Sequence, residues 1–333
     1  MAVYKLFPEK DTFISKTLST QNFGRDEVLE ISNETELTSI KADVKRSLIQ
    51  FETSQINNIL TNIVSGSYQT FLKLFLANAT IPADYTMYAF PISESWDMGL
   101  GKSADTPITT NGVTWGTAPA YISSSFGSQS FLYTSHKDIN MDVTSIVNEW
   151  ESGSIDNNGL LIKQSSDIED SDIPLITKFF SMDTHTIYPP HLEFKWDDSL
   201  YSSSLSQVAS SNFVANITNN KSEFEENAVH KFRIKSRDKY PARSFQTSSV
   251  YLNAKALPSS SYWALKDVKT EEMVIDFDST YTKISCDNTS NYFKLYMNGL
   301  EPERYYQILI KTVLSDGETV IVDDKLNYFK VVR

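Results

Sequence analysis

The sequence has one cysteine, four histidines and no long apolar run. The single cysteine, Cys286, excludes an internal disulfide and predicts a buried or partly buried thiol in a reducing compartment. No stretch reaches the ~20 apolar residues of a membrane-spanning helix, so we expect no membrane partner. The first eight residues lack the apolar region of a signal peptide, and we therefore expect no export.

The chain also lacks the motifs of familiar chemistry: a phosphate-binding loop, a dinucleotide-binding glycine pattern, a nucleophile elbow and paired cysteine ligands. A Pro-Pro break separates His185 from His191, which does not favour a metal pair. Carboxylates cluster at Glu94 and Asp97, and again within 167–172. A glycosidase needs two carboxyls at a fixed separation, and the second cluster lacks the pattern of a calcium loop. We expect solvated loops there, no catalytic residue, no metal and no cofactor.

Aromatic residues, by contrast, are plentiful, with 17 Tyr and 19 Phe among 333 residues. They favour strands, and long helical patterns are nearly absent, so the composition predicts an all-β protein of two domains. Lys and Arg counted against Asp and Glu give a charge of −11 for residues 1–196 and −1 for 197–333. Such an acidic first part disfavours nucleic acid as a direct partner.

One short helix stands out among the strand signals, in the segment DVTSIVNEWESG that begins at Asp142. Four apolar residues share one helical face at i, i+3, i+4 and i+7, namely Val143, Ile146, Val147 and Trp150. Asp142 is suited to cap the first turn, and Gly153 to end the helix in a left-handed conformation. The pattern predicts that Trp150 is a core residue, followed by a buried strand at Leu160-Leu161-Ile162.

Several segments in order through residues 1–196 resemble the DNRLRE domain family, a jelly-roll-like β-sandwich family. They are NFGRDEVLEIS, KRSLIQFE, SWDMG, VTWGTAP, DVTSIVNEWESGSIDNNGLLIK and YPPHLEFKW. The resemblance implies a module of secreted polysaccharide-active proteins, which also occurs in virion proteins of tailed bacteriophages. Because this chain shows no export signal, the resemblance favours the phage setting and a location in the virion.

A Ser-rich segment, 197–211, predicts a linker to a second β-domain over 212–333. There LEPERYYQILI, from Leu300 to Ile310, is similar to the proline and tyrosine corner of fibronectin type III or immunoglobulin-like sandwiches. The segments HKFRIKSRDKYPARSF, SSSYWALKD, EEMVIDFD and NGLEPERYYQILIK resemble the C-terminal part of structural proteins of crAss-like and other large tailed phages. This resemblance implies a place in the tail or neck.

Two groups of residues are candidates for binding. Trp96 and Trp115, both in loops, are candidates for stacking on a sugar, although large aromatics are more often core. The second group lies on and after one basic strand, and its members are Lys231, Arg233, Lys235, Arg237, Tyr240, Arg243 and Phe245. The basic strand fits a solvated edge strand or a patch that docks onto the acidic domain of a neighbouring copy.

These patterns lead to a first hypothesis of a non-enzymatic virion protein, assembled in several copies as a ring with other tail or neck proteins. The alternative is a carbohydrate-binding module that recognises host surface glycans. A polysaccharide-degrading enzyme is a third and weaker hypothesis, because no nucleophile, base or metal set is evident.

Overall fold

The computed structural model describes residues 2–35, 42–134, 138–241, 254–323 and 327–333. They divide into two compact units. We call Lys5–Val64 with Gln69–Phe194 the N-terminal unit, and Met1–Tyr4, Ser65–Tyr68 and Lys195–Arg333 the C-terminal unit. Strands dominate both units, which confirms the all-β class. None of the helices in the described ranges has the length and apolarity to cross a membrane.

The described residues before 197 form twelve strands. They are β1 Ala2–Leu6, β2 Lys10–Ser15, β3 Val28–Thr35, β4 Ala42–Gln50, β5 Tyr68–Leu74, β6 Leu76–Thr80, β7 Tyr85–Pro91, β8 Gly127–Phe131, β9 Ile139–Asp142, β10 Leu160–Gln164, β11 Leu175–Phe180 and β12 His191–Trp196. One sheet has the order β1-β12-β5-β9, and a larger one has the order β6-β11-β3-β4-β10-β7-β8 with β2 paired to β4. The two sheets are therefore unequal in size.

The helices number more than the single one predicted. They are α1 Thr53–Asn58, continued by a π-helical turn at Ile59–Ile63, α2 Thr144–Glu151 and α3 Ser166–Glu169, and a 3-10 turn occupies Trp115–Thr117. Helix α2 is the predicted one: Trp150 is buried, the Asp142 carboxylate accepts the Thr144 backbone N–H at 2.9 Å, and Gly153 has a φ of +70°. The core assignment of Trp150 is confirmed, whereas α1 and α3 are too short to show a helical period.

The described residues after 197 form ten strands, all in the C-terminal unit. They are β13 Phe213–Ile217, β14 Glu223–Glu225, β15 Val229–Asp238, β16 Ser261–Asp267, β17 Met273–Ile275, β18 Ser285–Cys286, β19 Asn291–Tyr296, β20 Tyr305–Val313, β21 Thr319–Val322 and β22 Tyr328–Val332. One sheet runs β13-β15-β19-β18 and the other β14-β22-β20-β16-β17, with β21 on β20. Residues of both sheets, including Phe232, Phe293, Trp263 and Ile308, form one buried cluster.

The tyrosine corner is present in this unit. The Tyr306 hydroxyl, at the start of β20, donates to the Glu301 carbonyl oxygen at 3.0 Å. Burial is the main cause that raises the pKa of Tyr306 above its ordinary value. The hydroxyl therefore stays protonated and acts as a neutral donor. This bond fastens the approach to β20, as in immunoglobulin-like sandwiches.

The Ser-rich segment 197–211, expected as a linker, is hydrogen bonded within the C-terminal unit. The Ser202 N–H donates to Cys286 O at 3.0 Å, and the Tyr201 hydroxyl donates to Leu257 O at 2.5 Å. Val208 is buried and its N–H donates to Ala256 O. These bonds satisfy a backbone that would otherwise need water.

Candidate functional site

Strand β7 places an unusual pair of aromatic rings on the outer face of the larger sheet. Tyr85, Met87 and Ala89 alternate inward and are buried. Because side chains alternate along a strand, Thr86, Tyr88 and Phe90 project from the opposite face, where they are half-buried. An outward Tyr and Phe two residues apart expose apolar surface that a solvated sheet face does not require.

Two further rings complete the group, and we call Tyr88, Phe90, Tyr121 and Phe126 the aromatic platform. The ring centroids of Tyr88 and Phe90 lie 5.7 Å apart, and that of Phe126 lies 5.5 Å from Tyr88 and 5.9 Å from Phe90. Tyr121 lies 5.0 Å from Phe90. Tyr121 is 37% exposed and Phe126 48% exposed. Four adjoining rings therefore share one accessible surface, and two of them belong to a strand that is paired on both sides.

A row of charged side chains adjoins the platform. Lys163 on β10 is the cross-strand partner of Tyr88 on β7. On the other side of β10, Ser47 of β4 is the partner of Ile162, and Arg46 is the residue next to Ser47. Glu169 of α3 binds both cations: Arg46 donates to its two oxygens at 2.9 and 2.7 Å, and Lys163 Nζ lies at 3.0 Å. Glu169 and Lys163 are both buried. The prediction of a solvated acidic loop is thus wrong for Glu169.

The long connection from β7 to β8 covers the rest of this outer face. Residues of this connection and of the strands beneath it form a second apolar cluster. Its members are Ile14, Leu48, Ile92, Trp96, Val113 and Leu161, and Met98 and Trp115 pack against it. Trp96 is only 7% exposed, and its indole N–H donates to Asn158 O at 2.8 Å. Trp96 therefore serves as core, and a sugar has no access to most of its ring.

Trp115 lies on the same face but keeps part of its ring accessible. The Arg46 guanidinium carbon lies 4.9 Å from the centroid of its ring, a cation–π contact. Glu169 also binds Arg46, so the Trp115 indole packs against a cation whose position is held by that carboxylate. Of the two tryptophans suggested by the sequence, the structure leaves only Trp115 open to contact.

Asn22 fixes the shape of the connection. Its side-chain amide donates to Met98 O at 2.9 Å and to Val113 O at 2.8 Å, and its oxygen accepts from the N–H groups of Gly24 and Gly101 at 3.1 and 2.9 Å. The side chain is fully buried. All four hydrogen-bonding capacities of the amide are thus used to join three segments of chain.

An open cavity of about 460 Å³ lies at the Tyr85 end of β7. Thr86 Oγ1 and Ser130 Oγ are 2.9 Å apart within its wall. Its other described lining residues are Asp84, Tyr85, Phe131, Leu132, Ser165, Asp167 and Ile168. We call this space the end cavity. It combines carboxylates and hydroxyls with apolar side chains.

The predicted basic strand is β15, and its alternation is as expected. Phe232, Ile234 and Ser236 are buried, so the four basic residues between and beside them face outward. However, β15 lies between β13 and β19 and is not the edge strand that we considered. The solvated-edge interpretation is wrong in this respect, because both sides of the strand are paired.

Two of the four basic residues are neutralised within the unit. Asp287 lies 3.1 Å from Arg233 and 3.7 Å from Lys231, whose ammonium also lies 3.4 Å from the Tyr292 ring centroid. Burial would raise the pKa of Asp287, but hydrogen bonds from the Ser290 and Thr289 N–H groups and from Arg233 outweigh it and lower this pKa. The Asp287 carboxylate is therefore a permanent counter-ion.

The remaining predicted contact residues differ in their surroundings. Lys235 is exposed, Arg237 is half-buried and donates to Asp238 O at 3.0 Å, and Tyr240 is 74% exposed. Arg243 and Phe245 lie outside the described residues. The structure thus brings Lys231, Arg233, Lys235 and Arg237 onto one face, and only Lys235 among them is exposed.

Sequence reasoning missed the platform. The signal was present in YTMYAFP, where Tyr88 and Phe90 alternate with Met87 and Ala89, so that both faces of the strand carry large apolar side chains. Nothing in that pattern separates a covered face from an open one. The distinction depends on Tyr121 and Phe126, which only the fold brings alongside.

Comparison with known proteins gives one family match. No curated protein sequence matches the chain. Among solved structures, the CupB6 tip adhesin from Pseudomonas aeruginosa shares 9% identity over 98% of each chain, with a TM-score of 0.10, which supports no conclusion about fold or function. Residues 2–186 match the model of carbohydrate-binding module family 96, a segment longer than half of the 333 residues and one that contains the whole platform. The chain belongs to carbohydrate-binding module family 96.

Proposed function

We propose that the N-terminal unit binds a carbohydrate through the aromatic platform. The observation that carries this proposal is the set of four adjoining rings, Tyr88, Phe90, Tyr121 and Phe126, on one accessible face of the sheet. A pyranose ring has apolar C–H faces as well as hydroxyl edges. Aromatic rings supply matching apolar area at a low entropic cost, since their side chains have only two rotatable bonds.

The surroundings of the platform support the same function. Hydroxyl groups lie beside the rings: Thr86 precedes Tyr88 by two residues on the same face of β7, and its Oγ1 lies 2.9 Å from Ser130 Oγ. A few placed polar groups around an apolar floor are typical of small-ligand sites. Because Tyr88 and Phe90 belong to a strand paired with β10 and β8, their positions are set before the ligand arrives, and little ordering is needed on binding.

In this proposal the unit binds without cleaving. The family match supports a binding module, and Glu169, the most buried carboxylate near the platform, is fully engaged with Arg46 and Lys163. The alternative that we considered from the sequence, recognition of host surface glycans, thus becomes the main hypothesis. Assembly in a phage tail or neck is a separate prediction, because the family match ends at residue 186 and does not include residues 195–333, which form most of the C-terminal unit.

The test is the loss of polysaccharide binding when platform rings are removed one at a time. We expect Phe126→Ala, Tyr121→Ala and Phe90→Ala each to weaken binding about tenfold, or ~1.4 kcal/mol, in affinity electrophoresis against a panel of soluble polysaccharides. These rings are at least partly exposed, so the variants should melt close to the wild type.

Tyr240→Ala, which removes an exposed ring of the C-terminal unit, is the matched control and should bind normally. Wild-type affinity in all three platform variants, with loss in Trp115→Ala alone, would move the site to Trp115. If no polysaccharide in a broad panel is retarded, the proposed function is wrong.

A further inference from the structure

The C-terminal unit carries an exposed pair of tyrosines on the outer face of its larger sheet. Tyr306 on β20 and Phe329 on β22 belong to the buried cluster of this unit, so their strand neighbours Tyr305 and Tyr328 face outward. The two outward rings meet edge to face with centroids 6.1 Å apart, and they are 49% and 45% exposed. We call Tyr305 and Tyr328 the tyrosine pair.

Strand pairing fixes the position of both rings. Across β20 and β22, Tyr305 is opposite Lys330, and Gln307 is opposite Tyr328. On its other side, β20 is paired with β16. The two tyrosines are therefore diagonal neighbours on adjacent strands, at a spacing that aromatic side chains bridge. Because the backbone beneath them is held, the rings need little ordering when a ligand binds.

Polar groups border the tyrosine pair on the same face. Gln307 is two residues from one ring and opposite the other. It is buried, and its Nε2 donates to Asp323 Oδ1 at 2.6 Å, which fixes the amide against an exposed carboxylate. Lys330, opposite Tyr305, is ion-paired with Glu303. An apolar surface with a few placed polar groups beside it is typical of small-ligand sites.

The size of the tyrosine pair restricts what binds there. An aromatic side chain buries about 150–250 Å² when it is covered completely, so two half-exposed rings offer on the order of 200 Å². A stable protein interface covers roughly 800 Å² on each partner, and its core is depleted of charge. Here Lys330, Glu303 and Asp323 lie at the border of the rings. A sugar ring, with its apolar C–H face and hydroxyl edges, matches this area and polarity better than a protein surface does.

We propose that the tyrosine pair is a second carbohydrate site, where a sugar unit stacks on the two rings and Asp323 and Lys330 hydrogen-bond its hydroxyls. The proposal rests on the function proposed for the platform for its class of ligand. It adds a site in the C-terminal unit, outside the residues 2–186 that match the family. Two sites in one chain raise the overall affinity for a polymer of many repeats, because the second contact is then intramolecular.

The experiment disables the two sites separately and together in the full chain. The platform variant combines Phe90→Ala, Tyr121→Ala and Phe126→Ala, and the pair variant combines Tyr305→Ala and Tyr328→Ala. A third variant carries all five changes. Binding is measured by affinity electrophoresis in gels that contain xylan, mannan, β-glucan or pectin. We expect the platform variant and the pair variant each to bind about tenfold more weakly than the wild type or weaker still, and the combined variant to show no retardation.

Control variants separate stacking from folding. Tyr305→Phe with Tyr328→Phe keeps both rings and should bind within about threefold of the wild type, since only neutral hydrogen bonds are lost. Tyr240→Ala removes another exposed ring of the same unit and should bind normally. Because the tyrosine pair is half exposed, the pair variant should melt close to the wild type. Tyr328→Ala alone carries the same expectation of weaker binding if the double change lowers the melting temperature.

Every outcome decides between the two sites. If the pair variant binds as tightly as Tyr240→Ala, the second site is refuted and the platform proposal stands. If the platform variant binds normally while the pair variant loses binding, the platform is refuted and the second site stands. Retardation of the combined variant, or no retardation of the wild type by any of the four polysaccharides, would refute both. Normal polysaccharide binding by a pair variant that changes from oligomer to monomer in light scattering would make the tyrosine pair an interface between copies instead.

Discussion

Asp11 is a buried carboxyl that makes the stability of the N-terminal unit depend on pH. It is 1% exposed, and burial raises its pKa from 3.8 to about 7, with a smaller opposing effect of the Met182 N–H and a further rise caused by Asp183. Folding therefore favours the protonated acid. The stability gained from protonated Asp11 is complete below about pH 4 and is lost as the pH rises through about 7.

We expect Asp11→Asn to flatten this dependence. The amide still accepts from the Met182 N–H but does not ionise, so the wild type should lose ~1.4 kcal/mol more per pH unit than the variant between about pH 4 and 7. His191 changes stability in the opposite direction, because burial lowers its pKa to about 3. It is common to both proteins, and the difference between their urea-unfolding free energies isolates Asp11. Parallel pH curves would show that Asp11 is ionised in the fold.

The tryptophans show what the sequence reveals about single residues. Trp150 was assigned to the core from the helical spacing it shares with Ile146 and Val147, and all three are buried in the structure. Trp96 had no such pattern, because it lies in a loop. Its burial depends on contacts with residues such as Ile14 and Leu161, distant in sequence, and local periodicity contains no information about those contacts.

At the scale of elements, one buried amide joins distant parts of the connection between β7 and β8. Asn22 holds Met98, Gly101 and Val113, and at Gly99, where φ is +75°, an added Cβ would approach the Asn22 oxygen to 2.4 Å. The order of these segments was recognised from the sequence, but nothing in it indicated the four hydrogen bonds of Asn22. A buried polar hub of this kind is visible only after the chain has folded.

We expect Asn22→Ala to destabilise the N-terminal unit by ~3–5 kcal/mol, because it leaves buried backbone donors and acceptors without their partner. Urea unfolding monitored by tryptophan fluorescence would report this, since Trp96 and Trp115 belong to the same connection. Asn62→Ala is the matched control: Asn62 is exposed and bonds only to the Asn58 side chain in the described contacts. A change of less than 1 kcal/mol in Asn22→Ala would contradict the role of the hub.

Strand β15 shows what an alternating pattern predicts about a strand and what it does not. The pattern correctly predicted an outward basic face over buried Phe232 and Ile234. It did not predict that β15 is an interior strand or that Asp287 neutralises Arg233. Alternation describes the two faces of a strand, whereas its neighbours depend on pairing with segments far along the chain.

At the scale of the whole molecule, the charge is divided unevenly along the chain. Residues 1–196 carry −11 and residues 197–333 carry −1, and the basic face of β15 belongs to the less acidic part. An association of identical copies, basic strand against acidic domain, stays a prediction. Such head-to-tail contacts close into rings when the rotation between copies permits.

The structure determines which residues test this association cleanly. Reversing Arg233 would place a carboxylate beside Asp287 and destabilise the unit itself, so that residue is unsuitable. Lys235 is exposed and Arg237 half-buried, and exposed charge pairs contribute only ~0–1 kcal/mol each to stability.

We expect Lys235→Glu with Arg237→Glu to leave the melting temperature nearly unchanged and to shift the mass measured by light scattering from oligomer towards monomer. Lys269→Glu, an exposed reversal two residues after β16, is the control for reversing a charge away from β15. If the wild type is monomeric at low salt, or if the double variant associates as strongly as Lys269→Glu, then β15 does not join copies of this chain.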